Sequence, residues 1–309
     1  PGRPSLLPEP FESPALTGSV SPQAARLTGL LAGTPVAAGA GDQAAGGIGS
    51  GIVEEGRVSL SLGTSGVVFV HASRPLRDRQ GRLHTFCHAV PGAWHLMGVM
   101  LSAGGSYRWF RDAFWTAGGR RRSRSIYGEM ERAASAIPPG CDGLLFLPYL
   151  SGERCPYPDP NARAVFFGLS LTHSIAHAAR SILEGVAFGI RDSVELMREA
   201  KVPVGKTFRV TGGGSRSDLW VSICADVLGR KMARLAVDEG PAYGAAMIAA
   251  TAIGLFPDVP AACRRLVKER RVFTPDRNRA TLYARLYPVY RNLYASLRGS
   301  FADLARVTS

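Results

Sequence analysis

Gly39-Ala40-Gly41-Asp42-Gln43-Ala44-Ala45-Gly46-Gly47 sets one acidic side chain in a run nearly free of other side-chain bulk. Thr34-Pro35-Val36-Ala37-Ala38 just before it reads as a short strand, and Ile48, Gly49, Ile52 and Val53 follow. Glycines on both sides let backbone or ligand approach closely. A carboxylate at a strand end, where a helix can begin, is placed to meet a substrate hydroxyl. The structural alternative is that Asp42 only caps a helix or shapes a turn. The stretch alone does not separate these readings; the flanking chain does.

Downstream, Arg57 to Leu62 and Val67 to Val70 flank Gly63-Thr64-Ser65-Gly66, a strand, a glycine-bounded turn and a strand. Two hydroxyls and two glycines in such a turn can aim hydroxyls and amides at phosphate oxygens; the alternative is a hairpin with an ordinary polar tip. No Lys follows in the position a Walker A loop requires. Leu83 to Val90 and Trp94 to Leu101 read as strands around Pro91-Gly92. Ser102-Ala103-Gly104-Gly105-Ser106 then opens a helix over Tyr107 to Phe114, and its glycines are expected to present free amides and the positive dipole end to a ligand, with a close-packed turn as the structural alternative. Ile126 to Ala136 is a helix, Leu144 to Leu147 a buried strand, and Pro148 to Pro156 a long irregular loop with adjacent Glu153 and Arg154. Thr172 is expected to cap a long helix from about Ser174 to Glu199. Its Gly185 and Gly189, four apart, suggest a close helix neighbour. Phe208 to Thr211 is a strand running through Gly212-Gly213-Gly214 into a helix over Asp218 to Leu228, an order that lets a nucleotide lie against bare backbone at a helix start. Gly240 to about Ile253 is a further small-residue helix. Tyr283 to Leu304 is one or two helices with a tyrosine face. Upstream, Ser21 caps a short helix ending near Gly33.

The chain has 309 residues, 46% hydrophobic and 20% charged, a composition ordinary for globular protein and long enough for about two domains. No run approaches the roughly 20 apolar residues of a membrane helix, and Pro1-Gly2-Arg3-Pro4 reads as linker, not as signal peptide or natural start. The formal charge of +13 raises nucleic-acid binding, but the arginines are scattered. Their one dense run, Arg120-Arg121-Arg122-Ser123-Arg124, lacks interleaved aromatics and reads as an exposed loop, so neither nucleic acid nor membrane is an expected partner. Five cysteines at wide spacing, with no CxxC, suggest free thiols in a reducing compartment and hence a cytoplasmic protein. His84 and His88 would share one face of a strand and Cys87 the other, so no zinc site and no protein-built metal site is expected.

Taken in order, these stretches resemble one family, the FGGY carbohydrate kinases. The likeness is carried by Gly39–Gly47, Leu60–Gly66, His84–Ala89, Trp94–Met97, Leu147–Arg154, Val165–Leu169, Thr211–Gly214 and Glu239–Ala246, and it spans essentially the whole chain. Cys155, where the family often has Thr, and Ala164, where Gly is common, are departures in loop detail.

The resemblance implies an α/β fold of the actin/hexokinase-like (ribonuclease H-like) ATPase type, a mixed sheet with flanking helices. It implies that residues 1–56 form the end of a first, sugar-binding domain and 57–309 the second, nucleotide-binding domain. The Asp-x-Gly-Thr hairpin that begins family members is lacking, so the missing N-terminal kinase domain is an expected partner and the chain alone is expected not to turn over. The implied reaction is ATP-dependent phosphorylation of a sugar hydroxyl, D-xylulose to D-xylulose 5-phosphate. Ribulose, gluconate or glycerol as substrate, or a non-catalytic nucleotide-binding module, are the alternatives. Asp42 would be the general base and, with Gln43, a sugar contact. Thr64 and Gly104 would line the phosphate site, Gly212, Gly213 and Gly214 would lie against ribose and α-phosphate, and Ser217 near adenine. Mg²⁺ would be carried mainly by ATP oxygens. A homodimer is a further assembly the resemblance allows.

Overall fold

The computed structural model describes residues 8–116 and 126–308; the arginine run at 120–124 lies outside them. The chain opens with β1 (Leu16–Ser19), α1 (Pro22–Thr28), β2 (Pro35–Ala37) and α2 (Asp42–Gly49). β1 was not foreseen from sequence; it pairs antiparallel with β2. Ser21 caps α1 as expected, by accepting from the Ala24 amide, but the helix stops at Thr28 because Gly29 takes a left-handed conformation.

The hairpin read around Gly63 is the centre of the molecule. β3 (Gly56–Leu62) and β4 (Gly66–Ala72) pair antiparallel with Leu62 opposite Gly66. β5 (His84–Cys87) and β6 (Trp94–Met100) extend the β4 side, while β9 (Val204–Thr211), β10 (Lys231–Leu235) and β11 (Glu269–Phe273) extend the β3 side. Among the described residues these seven strands form one sheet in the order β11-β10-β9-β3-β4-β6-β5. Its β3–β9 and β9–β10 pairs are parallel and the others antiparallel.

The remaining elements are α3 (Gly104–Phe110), α4 (Ile126–Ser135), β7 (Leu145–Leu147), β8 (Val165–Phe167), α5 (Ile175–Glu199), α6 (Asp218–Leu228), α7 (Gly240–Ala252), α8 (Val259–Leu266) and α9 (Arg277–Thr308). Strand alternation splits the apolar side chains between two cores. Leu60, Leu62, Val68 and Val70 join Ile182, Val186 and Ile190 of α5 in the larger one. Val67 and Phe69 point to the opposite face, where Ile52 and Met97 meet them. The α2 residues Ala44 and Ile48 pack with Met247 and Ile248 of α7 and with Val259 of α8.

Three expectations change. α5 is capped by Ser174, in a reciprocal pairing with His177, and not by Thr172, whose hydroxyl instead meets Ser170. Gly185 admits a strand, not a helix: a Cβ there would lie 2.1 Å from the Phe146 carbonyl oxygen of β7. The helix from Gly104 does not continue evenly to Phe114; its last turn, Arg111–Trp115, widens, with the Thr116 amide donating to the Arg111 carbonyl. The tyrosine face lies on one helix, α9, and Tyr283, Tyr287, Tyr290 and Tyr294 are all buried.

Candidate active site at the carboxyl ends of two parallel strands

β3 and β9 run parallel and both end at one edge of the sheet, the end at which open α/β sheets collect ligands. From β3 the chain turns through Gly63-Thr64-Ser65 into β4. α3 starts directly against this turn. The Ala103 and Gly105 amides donate to the Thr64 carbonyl (2.9 and 3.0 Å) and the Gly104 amide to the Gly63 carbonyl (2.9 Å). The free amides expected at this helix start are therefore spent on the turn, and the start of α3 shapes the site without offering those donors. A Cβ on Gly104 would sit 2.4 Å from the Gly63 oxygen, so only glycine allows the approach.

From β9 the chain passes through Gly212, with φ at +82°, and a single short turn over Gly213–Arg216 into α6. Ser217 caps α6: its Oγ accepts from the Trp220 amide (3.1 Å) and donates to Glu131 Oε1 (2.8 Å). The same Glu131 oxygen accepts from the Leu219 amide at 3.1 Å, which ties α4 to the start of α6. Between these elements lies a cavity of about 590 Å³, within the size range of small-molecule sites. Thr64, Gly104, Gly213, Gly214 and Ser217 all line it, with Tyr107, Tyr127 and Trp220 supplying an aromatic wall. Tyr107, Tyr127, Glu131 and Trp220 carried no signal in the sequence beyond helical spacing. Gly212 lines neither this cavity nor the one beside Asp42. Its backbone lies on that of β3, where a Cβ would meet the Leu62 carbonyl carbon at 2.9 Å.

Asp42 is the first residue of α2, after Gly41 as N-cap. An acid there suits the positive helix end, and its Oδ1 accepts from the Gln43 amide at 2.8 Å. The carboxylate is exposed and faces a smaller cavity of about 80 Å³, lined also by Gln43, Ser61, Phe69, Thr211 and Pro241. The two cavities have no lining residue in common among those described. They adjoin along the strands: Ser61 and Thr211 line the Asp42 side, and Leu62 and Gly213 line the other. What fixes Asp42 is the packing of α2 on α7. A Cβ on Gly49 would fall 1.9 Å from the Gly240 oxygen, and one on Gly244 would fall 1.8 Å from the Ala45 oxygen. At the far end of α2, Arg209 of β9 donates to the Ser50 and Gly51 carbonyls (2.9 and 3.0 Å).

Behind Phe69 and α2 sit His71, His88 and His95, all buried, with ring centroids 5.3 Å (His71–His88) and 5.7 Å (His88–His95) apart. Burial, reinforced by the other two imidazoles, holds His88 down at about 3, and burial holds His95 at about 4. These rings are neutral packing groups. His84 and Cys87 lie on β5, outside the trio, and among the described residues no cluster of three His, Cys, Asp or Glu side chains is arranged to hold a metal. All five cysteines are free thiols, and among the described residues no helix is long and apolar enough to cross a membrane.

Residues 58–253 match the family described as the FGGY family of carbohydrate kinases, C-terminal domain. The xylulose kinase of Bacillus subtilis (strain 168) is 36% identical over 289 residues, covering 94% of this chain and 56% of the relative. The xylulose kinase of Staphylococcus epidermidis (strain RP62A) is 34% identical over 304 residues, covering 98% and 60%. Among solved structures, the xylulose kinase from Rhodospirillum rubrum superposes with a TM-score of 0.86 at 34% identity, over 97% of this chain and 59% of that one. This chain thus spans less than two thirds of the length of the relatives it matches. The mixed sheet with flanking helices is the actin/hexokinase-like fold of these kinases.

Proposed function

We propose, from the premise that this chain belongs to the FGGY family of carbohydrate kinases, that it carries the nucleotide site and the catalytic carboxylate of an ATP-dependent sugar kinase. The observation that carries this reading is the adjacency at the ends of β3 and β9. A glycine-lined cavity with an aromatic wall takes the nucleotide, and one exposed carboxylate stands on the next cavity along. Asp42 takes the proton from the sugar hydroxyl as that oxygen attacks the γ-phosphorus. The hydroxyl becomes more acidic as its bond to phosphorus forms, so a carboxylate suffices as the base. Gln43, beside it on the same cavity, contacts the sugar. Thr64 faces the terminal phosphates. Gly213 and Gly214 present backbone to the ribose and α-phosphate, and Ser217 stands near the base. Gly212 acts indirectly, by turning the chain over Leu62. Positioning and neutralisation of charge supply most of the acceleration in such transfers.

Mg²⁺ enters with ATP. Among the described residues no cluster of three acidic, His or Cys side chains would hold it; it would be carried mainly by phosphate oxygens and water. The proposed sugar is D-xylulose; the relatives from Bacillus subtilis and Staphylococcus epidermidis are named xylulose kinases. A sugar-binding domain of the kind that precedes this region in longer relatives completes the cleft, with residues 1–56 as its end and 57–309 as the nucleotide-binding domain. The test is a substrate panel on the chain joined to that domain. MgATP-dependent phosphorylation of D-xylulose should exceed that of ribulose, gluconate and glycerol in kcat/KM. A higher value for one of the others would reassign the sugar. Tight MgATP binding with no transfer to any of them would leave a nucleotide-binding module instead.

A further inference from the structure

We propose that Glu153 is a positioning residue that braces the phosphate-facing turn of the nucleotide cavity from inside the fold. The proposal rests on the nucleotide reading of that cavity only for its effect on ligand binding. Glu153 belongs to the irregular segment Pro148–Ala164, between β7 and β8, and its side chain is only 4% exposed. The segment is anchored from behind: Glu153 and Asp159 exchange backbone hydrogen bonds of 2.9 and 3.0 Å, and Asp159 Oδ2 accepts from Tyr294 of α9 at 2.8 Å. Arg154, next along the chain, forms no ion pair with Glu153; its amide donates to Glu153 Oε1 at 2.7 Å.

The same oxygen accepts from the Leu101 amide at 3.0 Å. Leu101 is the first residue past β6, where the sheet ladder ends at the Met100–Gly66 pair. A second tie runs beside it, Ser151 Oγ to Ser102 Oγ at 3.1 Å. Two residues further on, the Ala103, Gly104 and Gly105 amides grip the carbonyls of Gly63 and Thr64. The contacts thus run without a gap from the buried carboxyl through Leu101 and Ser102 to the turn that carries Thr64. Burial pushes the Glu153 carboxyl up to about 7 against the pull of the backbone amides, and its Oε2 has no hydrogen-bond partner among the described residues. What the group supplies here is an acceptor for two amides. Gln can supply the same through its Oε1; Ala cannot.

Amide hydrogen exchange without ligand and MgATP binding by calorimetry, on this chain, separate the brace from the nucleotide reading. In Glu153→Ala, exchange at Ala103, Gly104 and Gly105 should rise at least about tenfold relative to amides of β10 and β11. The Kd for MgATP should rise about tenfold, the scale of losing one buried acceptor. Glu153→Gln should stay within about twofold of the parent in both. If Glu153→Ala does not fold, Glu153→Asp, which withdraws the acceptor by one methylene, is read in its place. Unchanged exchange at those three amides, or equal acceleration across the whole sheet, overturns the brace. Failure of the parent chain to bind MgATP overturns the nucleotide reading instead, and the exchange measurement still decides the brace.

Discussion

Gly244 shows how a single missing side chain can place the proposed catalytic group. With no room for a Cβ against the Ala45 carbonyl, α7 and α2 touch backbone to backbone, and this contact sets where Asp42 stands. Gly244→Ala should therefore destabilise the fold by about 1–3 kcal/mol, the usual cost of overpacking, read as a lower urea midpoint. A midpoint equal to the parent's would mean that the helices separate without cost. His88 makes a different kind of test. Its folded value of about 3 lies below the ordinary 6.5, so between those pH values the unfolded chain binds a proton that the folded one refuses. This group's contribution is intact above pH 6.5 and is lost as pH falls toward 3, by up to about 1.4 kcal/mol per pH unit. Glu153 and Asp192, both raised to about 7 by burial, act in the opposite sense: they favour the fold at low pH and lose that contribution as pH rises through 7. A difference measurement isolates the histidine. His88→Asn keeps an acceptor for the Val90 amide, which Nδ1 now takes at 3.0 Å. The parent's stability relative to this variant should decline from pH 6.5 to pH 4; a difference that does not vary with pH would contradict the assignment. At this scale Asp42, Thr64 and the glycines were legible because glycine clusters interrupt apolar periodicity. The histidine trio and Glu131 were not, because they meet only when distant elements fold together.

Among the elements, α5 carries the largest share of the core through Ile182, Val186, Ile190 and Val194. Its apolar spacing made it readable, but its buried polar groups did not follow from that spacing. Glu184 accepts from Arg180 (2.7 Å), from Tyr283 of α9 (2.7 Å) and from the Gly140 amide (3.2 Å), and it is almost wholly enclosed. Glu184→Ala should cost about 3–5 kcal/mol, because it leaves the Arg180 guanidinium buried without its counter-charge. Thermal or denaturant unfolding checks this, and a loss below about 1 kcal/mol would show that water reaches the site. The cap of the same helix illustrates a boundary that sequence left open by two residues. Thr172 and Ser174 are both capping residue types, and only the fold brings His177 round to answer Ser174. The start of α3 shows the reverse case. Gly104 and Gly105 were expected to present free amides to a ligand, but those amides bind the turn at Thr64, so the close-packed alternative holds.

Across the whole molecule, strand and helix types came from period and punctuation, while the strand order did not. A parallel β3–β9 pair joins residues about 150 apart in sequence, and nothing local encodes it. That pairing is nonetheless what brings Asp42 and the triple glycine to one edge. None of residues 8–41 is buried: α1 has no buried residue, and Leu27 and Leu31 are 81% and 80% exposed. In the proposed enzyme these residues belong to the sugar-binding domain, the rest of which would cover them. Because the cavity at Thr64 and the cavity at Asp42 have separate linings among the described residues, the proposed nucleotide binding and proton transfer should be separable by substitution. The most direct measurement is therefore kcat for Asp42→Asn, made on the chain joined to a sugar-binding domain, with MgATP affinity measured alongside. A fall of at least about a hundredfold in kcat, with the MgATP Kd within about twofold of the parent, is the expected result. A kcat close to the parent's, in a variant that binds MgATP normally, would contradict Asp42 as the base.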